Sequence, residues 1–227
     1  MSLTLIYTIV TLCAIGVVSA VILFCAAKKF HVEENPLIDE IEQALPGVNC
    51  GACGYPGCRG FAEACAKADS LDGFFCAPGG NAAMAAVALV MGKDAVEKDP
   101  LTAVVRCNGT AEHRQKTSVY DGAKTCAVAS YTYSGDTGCE NGCLGLGDCV
   151  NVCPFDAIHM DQETGLPVID EERCTACGKC VAACPKQIIE LRKKGFKGRR
   201  VYVCCINQEK GGPALKACKA ACIGCGK

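Results

Sequence analysis

Cysteine occupies 22 of the 227 positions of this chain, and no other feature limits so sharply what it can fold into. A density near one residue in ten leaves three classes: a disulfide scaffold, a zinc scaffold or an iron–sulfur protein. Composition offers no rival source of cohesion. There is no Trp and aromatic residues are only 6%, so a large hydrophobic core is not expected, and metal–thiolate bonds can supply what burial does not. The formal net charge of −1 names no partner, and nothing in it calls for nucleic acid. Each oxidised four-iron cluster on four thiolates would add about −2 to that figure.

Spacing decides among the classes. Cys174-x2-Cys177-x2-Cys180-x3-Cys184-Pro185 is the run of bacterial two-cluster ferredoxins, in which three thiolates converge on one cubane and the fourth serves the other cluster. Pro185 suits the first turn of a following helix, where a missing N–H costs little. Zinc knuckles do not carry a C-x3-C-P ending. A related run, Cys139-x3-Cys143-x5-Cys149-x3-Cys153-Pro154, precedes it, one residue and then three residues longer than the standard spacing. Each Cys-Pro leads into a short apolar strand, a turn and a second apolar run: residues 155–160 and 167–169 in one copy, 188–191 and 201–203 in the other. This internal repeat predicts a duplicated ferredoxin-type unit. The crossing rule then groups Cys139, Cys143, Cys149 and Cys184 on one cluster, and Cys153, Cys174, Cys177 and Cys180 on another.

A third motif lies upstream. Cys50-x2-Cys53-x4-Cys58-x17-Cys76 offers four more thiolates, within a glycine-rich loop whose backbone can approach cluster sulfurs closely. A zinc ribbon remains the alternative here. Cys65, in the helix-like stretch FAEACAKA, reads as a packed thiol.

The organisation around these motifs is that of an anchored α+β protein. Leu3 to Ala27 carries no charged residue; at about 1.5 Å per residue, 25 residues span roughly 37 Å as a helix, enough to cross a bilayer. Nothing basic precedes the run and no A-x-A site closes it, so it reads as an uncleaved single-pass anchor. Lys28 and Lys29 follow it at once, which places the bulk of the chain on the cytoplasmic side, where structural disulfides are not favoured. Cys13 and Cys25 within the run read as small apolar side chains. The expected segments are the anchor at 1–29, a small α-rich four-iron module at 34–95 and a linker or loops at 100–138. The two-cluster ferredoxin-like domain follows at 139–204, then a further cysteine motif at 205–227. Short helices are predicted at 36–45, and at 82–91 with Asn81 as its cap.

Eight cysteines outside the anchor lack a place in these sets: Cys65, Cys107, Cys126, Cys204, Cys205, Cys218, Cys222 and Cys225. Cys218-x3-Cys222-x2-Cys225 resembles another ferredoxin run whose next cysteine would fall beyond Lys227, so the chain is expected to be truncated there. Cys205, Cys218, Cys222 and Cys225 are the candidates for a fourth cluster, with Cys107 or Cys126 as helpers.

The stretches CGACGYPGCRGFAEA, CAPGG and GCLGLGDCVNVCPFDAI closely resemble the iron–sulfur B subunit of the Rnf ion-translocating electron transport complex. The likeness covers nearly the whole chain. It implies a bacterial inner-membrane complex that couples electron flow between ferredoxin and NAD(H) to movement of Na⁺ or H⁺. It also implies flavin-bearing and integral membrane subunits as partners and soluble ferredoxin as redox partner. Three [4Fe–4S] clusters are implied, with Cys50, Cys53, Cys58 and Cys76 on the first and the two ferredoxin runs on the others. The odd spacing at Cys139 to Cys149 is part of the likeness.

No general base, nucleophile, phosphate loop or dinucleotide motif is present, and His31, His113 and His159 have no partner motif. Alone the chain is expected to move electrons, not to catalyse bond chemistry, and its anchor carries no ionisable side chain for an ion path. The basic run from Arg192 to Arg200 reads either as a solvated turn or as a docking surface for an acidic electron donor. Two other functions compete: an iron–sulfur relay of another membrane oxidoreductase, such as a hydrogenase or dehydrogenase, and a zinc- or disulfide-stapled membrane binding protein with no redox role.

Overall fold

The computed structural model describes residues 3–29, 35–95, 97–133, 135–195 and 198–225. His31, Phe196, Lys197, Gly226 and Lys227, which figure in the expectations above, lie outside them. The chain forms two units, residues 1–36 and 37–227. The first is a single helix, α1 (Leu3–Lys29), with its large apolar side chains from Ile6 to Phe24 exposed. An isolated helix of this composition is unstable in water but satisfies all its backbone groups internally in lipid. It is long and apolar enough to cross a membrane.

The second unit begins with three helices, α2 (Pro36–Ala44), α3 (Cys58–Lys67) and α4 (Gly80–Met91). Pro36 sits at the start of α2, where its fixed φ helps. Ile41 and Leu45 on one face bury against Phe61, Cys65, Met84 and Val87. Arg59 on α3 ties α2 down through Asp39 (3.1 Å) and Glu42 (2.9 Å). Tyr55, Phe61 and Phe74 form an aromatic triangle with centroids 5.6 to 6.0 Å apart, a sizeable share of the few rings in this chain. Helix α4 starts two residues before the predicted point. Asn81 does not cap it; its side chain instead exchanges two hydrogen bonds of 3.0 Å with the backbone of Lys98, closing the loop that leaves the module. The other end is as expected: Gly92 at φ +63 lets Lys93 N–H reach back to Ala88 at 2.9 Å, a Schellman ending.

Residues 101–193 fold around two small antiparallel strand pairs. Strands β2 (Ile158–Met160) and β3 (Pro167–Ile169) form the expected hairpin. The second expected hairpin does not form. Strand β4 (Ile189–Lys193) pairs with β1 (Leu101–Val105), in register from Leu101–Lys193 to Val105–Ile189. Burial explains the exchange. Thr102, Ala103 and Val104 are buried, while Val201 is 98% exposed and Val203 55%. The segment 100–138 therefore contributes a strand and a helix, α5 (Cys126–Tyr133), where only linker or loops were expected.

Short helices α6 (Asp148–Asn151) and α7 (Lys179–Ala183) pack on each other, on β2 and on β4 respectively. Two backbone features recur in the two halves. Gly147 (φ +83) and Gly178 (φ +78) open the two helices in the left-handed region. Asp156 (φ +51) and Gln187 (φ +52) each stand three residues after a Cys-Pro cysteine, in a conformation that non-glycine residues seldom adopt. A last helix, α8 (Gly211–Ala217), precedes the tail cysteines.

Candidate metal centres

All 22 cysteines are unpaired thiols. Four from the first motif (Cys50, Cys53, Cys58 and Cys76) line one hollow of about 330 Å³, part of it open to solvent, between the loop after α2 and the start of α4. The chain turns tightly here. Asn49 at φ +51 accepts Cys58 N–H on its Oδ1 at 2.7 Å, holding the first turn of α3 beside the loop. Gly79 N–H reaches Cys76. Cys65 is fully buried in the helical core, away from the hollow, as a packed thiol should be.

Cys153, Cys174, Cys177 and Cys180 line a second hollow of about 360 Å³, the grouping that the crossing rule predicts. Ala157 N–H lies 3.4 Å from Cys153 Sγ. Cys143, Cys149 and Cys184 share another of about 360 Å³, so the two Cys-Pro cysteines do cross over. The fourth thiol on that hollow is Cys126, from the first turn of α5, and not Cys139. Cys139 turns instead to a hollow of about 290 Å³ with Cys107, Cys205 and Cys218. Of the tail set, Cys222 gives its N–H to Cys205 Sγ at 3.3 Å, Cys225 is exposed, and neither lines that hollow. Cys204 is exposed as well.

By themselves these sites are electrostatically unfavourable for thiolates. Burial first, then the neighbouring Cys143 and Cys126, push Cys149 up to about 12. Burial pushes Cys143 up to about 11, against the N–H of Gly145 and the Arg114 guanidinium. Cys180 rises to about 11 for the same reason, with Cys174 and Cys177 adding to it. Gathering buried thiolates needs a cationic core to offset their repulsion. The donors at each hollow are all thiols, the set an iron–sulfur cube takes. Four thiolates on one tetrahedral zinc stand about 3.8 Å apart, given a Zn–S bond of about 2.3 Å. Among the described residues no group of three or more His, Cys, Asp or Glu gathers in that way. The thiols instead ring hollows, and backbone N–H groups point at their sulfurs, as cluster sites require.

Comparison with known proteins agrees. Residues 137–188 match a 4Fe-4S dicluster domain family, and residues 45–70 a family described as a putative Fe-S cluster. The chain is 41% identical to the B subunit of the proton-translocating ferredoxin:NAD(+) oxidoreductase complex of Clostridium ljungdahlii, over 96% of its own length and 76% of that protein. It is 37% identical to the B subunit of the ion-translocating oxidoreductase complex of Methanosarcina acetivorans, over 100% and 84%. The chain belongs to the family of B subunits of ion-translocating oxidoreductase complexes. A third relative, the B subunit of the Na(+)-translocating ferredoxin:NAD(+) oxidoreductase complex of Acetobacterium woodii, is 41% identical over 91% of this chain and 61% of its own. As a member of this family it is an iron–sulfur electron-transfer component of a multi-subunit Rnf-type oxidoreductase complex, it binds [4Fe–4S] clusters, and its apolar helix accords with membrane association.

The basic run near Arg200 is largely engaged within the chain. Lys193 pairs with Asp99 at 2.6 Å, Lys194 donates to the Glu171 carbonyl at 2.7 Å, and Arg200 pairs with the Glu171 carboxylate. Arg192 binds Glu190 and lies over the Tyr202 ring. These contacts make the run a brace for β4 and the following loop.

Proposed function

We propose that this subunit carries single electrons between ferredoxin and the NAD-linked partners of its complex, while other subunits, flavin-bearing and integral to the membrane, perform hydride chemistry and move Na⁺ or H⁺. The relatives' names supply the ferredoxin, the NAD and the ion. Helix α1 is the single-pass anchor, and Lys28 and Lys29 at its end favour a cytoplasmic position for the rest.

The observation that carries the reading is the crossing of the two Cys-Pro cysteines: Cys153 with Cys174, Cys177 and Cys180, and Cys184 with Cys143 and Cys149. We read residues 101–193 as a duplicated, two-cluster ferredoxin-like domain, supported by the matched Gly147/Gly178 and Asp156/Gln187 conformations. The upstream module holds a further cluster on Cys50, Cys53, Cys58 and Cys76. Bound in such sites, [4Fe–4S] clusters supply reversible one-electron storage. The chain's own residues set the thiolate positions, donate N–H groups to sulfur and exclude water from one side of each hollow. The segments around Ala77 and Cys174 border one cleft, which brings the upstream module up to the ferredoxin-like region.

The test is iron and acid-labile sulfide on anaerobically purified protein, with electron paramagnetic resonance after dithionite reduction. At least about twelve irons per chain with reduced four-iron signals are expected for three clusters. Little iron with stoichiometric zinc overturns the electron-transfer reading.

A further inference from the structure

We propose that Cys107, Cys139, Cys205 and Cys218 form a fourth [4Fe–4S] site, and that Cys126 completes the site of Cys143, Cys149 and Cys184 in place of Cys139. The two assignments rest on the electron-transfer reading above and go beyond its three clusters.

Sequence position and backbone shape agree on the exchange. With Gly147 matched to Gly178, Cys143 matches Cys174, Cys149 matches Cys180 and Cys153 matches Cys184. The x5 gap between Cys143 and Cys149 is then x2-Leu146-x2: the standard run with its second cysteine, the counterpart of Cys177, replaced by Leu146. Gly145 (φ +74) and Ala176 (φ +56) keep the same turn in both copies. The first copy therefore lacks one thiolate of its own. Helix α5 supplies it: Cys126 lines that hollow, and Asp148 on α6 holds the helix there by accepting Ala127 N–H on Oδ2 at 3.0 Å.

Cys139 is thereby freed, and it has three thiol companions. Cys107 and Cys205 face each other in an isolated antiparallel bridge. Cys218 follows α8, with its N–H on Ala214 O at 2.9 Å. Cys205 Sγ receives two backbone N–H groups, from Asn207 at 3.4 Å and Cys222 at 3.3 Å. Asn141 N–H reaches Cys139. A Cβ at Gly109 would stand 3.2 Å from Cys218 Sγ and 3.7 Å from Cys107 Sγ, so the backbone wraps this group as closely as a cluster loop does. Four sulfurs, N–H donors to two of them, and a hollow close in size to the other three are the features the upstream sites share. Four segments of chain, around Cys107, Cys139, Cys205 and Cys218, converge here, each bringing one thiol. Zinc is the competing occupant, and the experiment separates it.

The full-length protein, purified without oxygen in detergent, is analysed for iron, sulfide and zinc, then alkylated with and without prior iron chelation and mapped by mass spectrometry. About sixteen irons per chain are expected, with Cys107, Cys139, Cys205 and Cys218 protected until chelation while exposed Cys204 and Cys225 react at once. Cys139→Ser should lose about four irons and expose Cys107, Cys205 and Cys218, leaving Cys143, Cys149 and Cys184 protected. Cys126→Ser should do the reverse. Twelve irons with these four thiols freely alkylated, one equivalent of zinc bound to them, or a Cys107–Cys205 disulfide each overturns the fourth site while leaving the three-cluster relay intact. Exposure of Cys143, Cys149 and Cys184 in Cys139→Ser overturns the exchange. The wild-type footprint decides the fourth site even if a variant fails to fold.

Discussion

Replacing Gly79 with alanine should loosen the upstream cluster site through one identifiable collision. Gly79 has an ordinary φ of −81°, so an added methyl meets no backbone strain. It would meet Ala83 Cβ at 2.4 Å, Pro46 Cγ at 3.2 Å and Cys76 Sγ at 3.3 Å. The first contact is about 1 Å inside ordinary van der Waals range, and neither methyl can rotate away, so α4 or the Cys76 loop must shift. Overpacking of this kind costs about 1–3 kcal/mol, and about 2 kcal/mol lowers Tm by roughly 4–8 °C for a unit of this size. The displaced atoms include a ligand sulfur, so four irons should also become more accessible to a chelator. Ala83→Gly alone should cost about 1.5 kcal/mol, from helix propensity and a lost buried methyl. It removes the worst contact, so the double variant should be more stable than the sum of the two single changes by about 1–2 kcal/mol. Thermal unfolding and iron-release kinetics of all four proteins form the cycle. A Gly79→Ala protein with unchanged melting and iron release, or strict additivity in the cycle, refutes the argument.

Thr102 is fully buried on β1, and its hydroxyl has no hydrogen-bond partner among the described residues. Thr102→Val keeps the shape and removes an unpaired polar group, and should stabilise by about 1–2 kcal/mol; a lower Tm contradicts this. Burial first, then the Cys53 thiolate, push Cys65 up to about 11 from its ordinary 9.0. The neutral thiol is thus favoured in the folded state, and its stabilising share is present below pH 9 and lost as pH rises through about 11. Cys65 should resist iodoacetamide at pH 8 while exposed Cys204 reacts, and Cys65→Ala should retain its full iron content; iron loss would make Cys65 a ligand. Arg114 donates to the Cys143 carbonyl and, at 3.4 Å, to that of Gly165, placing a cation beside the Cys149 site. Arg114→Gln should lower that cluster's potential. One charge beside such a site at an effective dielectric near 20, reduced for partial exposure, gives about 1 kcal/mol, or on the order of 40 mV. A redox titration with no shift would show that solvent screens it.

Features set within one stretch of chain, and the crossing that a duplicated run implies, were legible in the sequence, while other pairings between distant segments were not. The groups around Cys50 and Cys174 follow from short spacings and tight turns, which one stretch of chain specifies by itself. Helix α2 followed from Leu37, Ile38, Ile41 and Leu45 on one face. The partner of β4 was missed because Leu101–Val105 is a five-residue apolar run far away in sequence, and pairing across that distance leaves no periodic mark. Asn81 has the residue type of a cap, but two bonds to Lys98 hold it elsewhere. Cys126 reads from the sequence only as a helper to a fourth cluster; its place on the hollow of Cys143, Cys149 and Cys184 had one signal, an x5 gap that divides evenly around Leu146.

The pairing of β1 with β4 has a consequence for how the polypeptide is made. Everything that lines the upstream hollow has left the ribosome soon after residue 91. The remaining hollows close only when β4 has been translated and, for the site nearest the end, when Cys218 has followed. At 5–20 residues per second that interval is roughly 6–25 s. During it, the nascent chain holds one hollow with its four thiols already gathered and a row of bare thiols from Cys107 onward. With clusters on the sites proposed above, topology would order metal delivery in time, the N-terminal module being charged first and the rest awaiting the last strand.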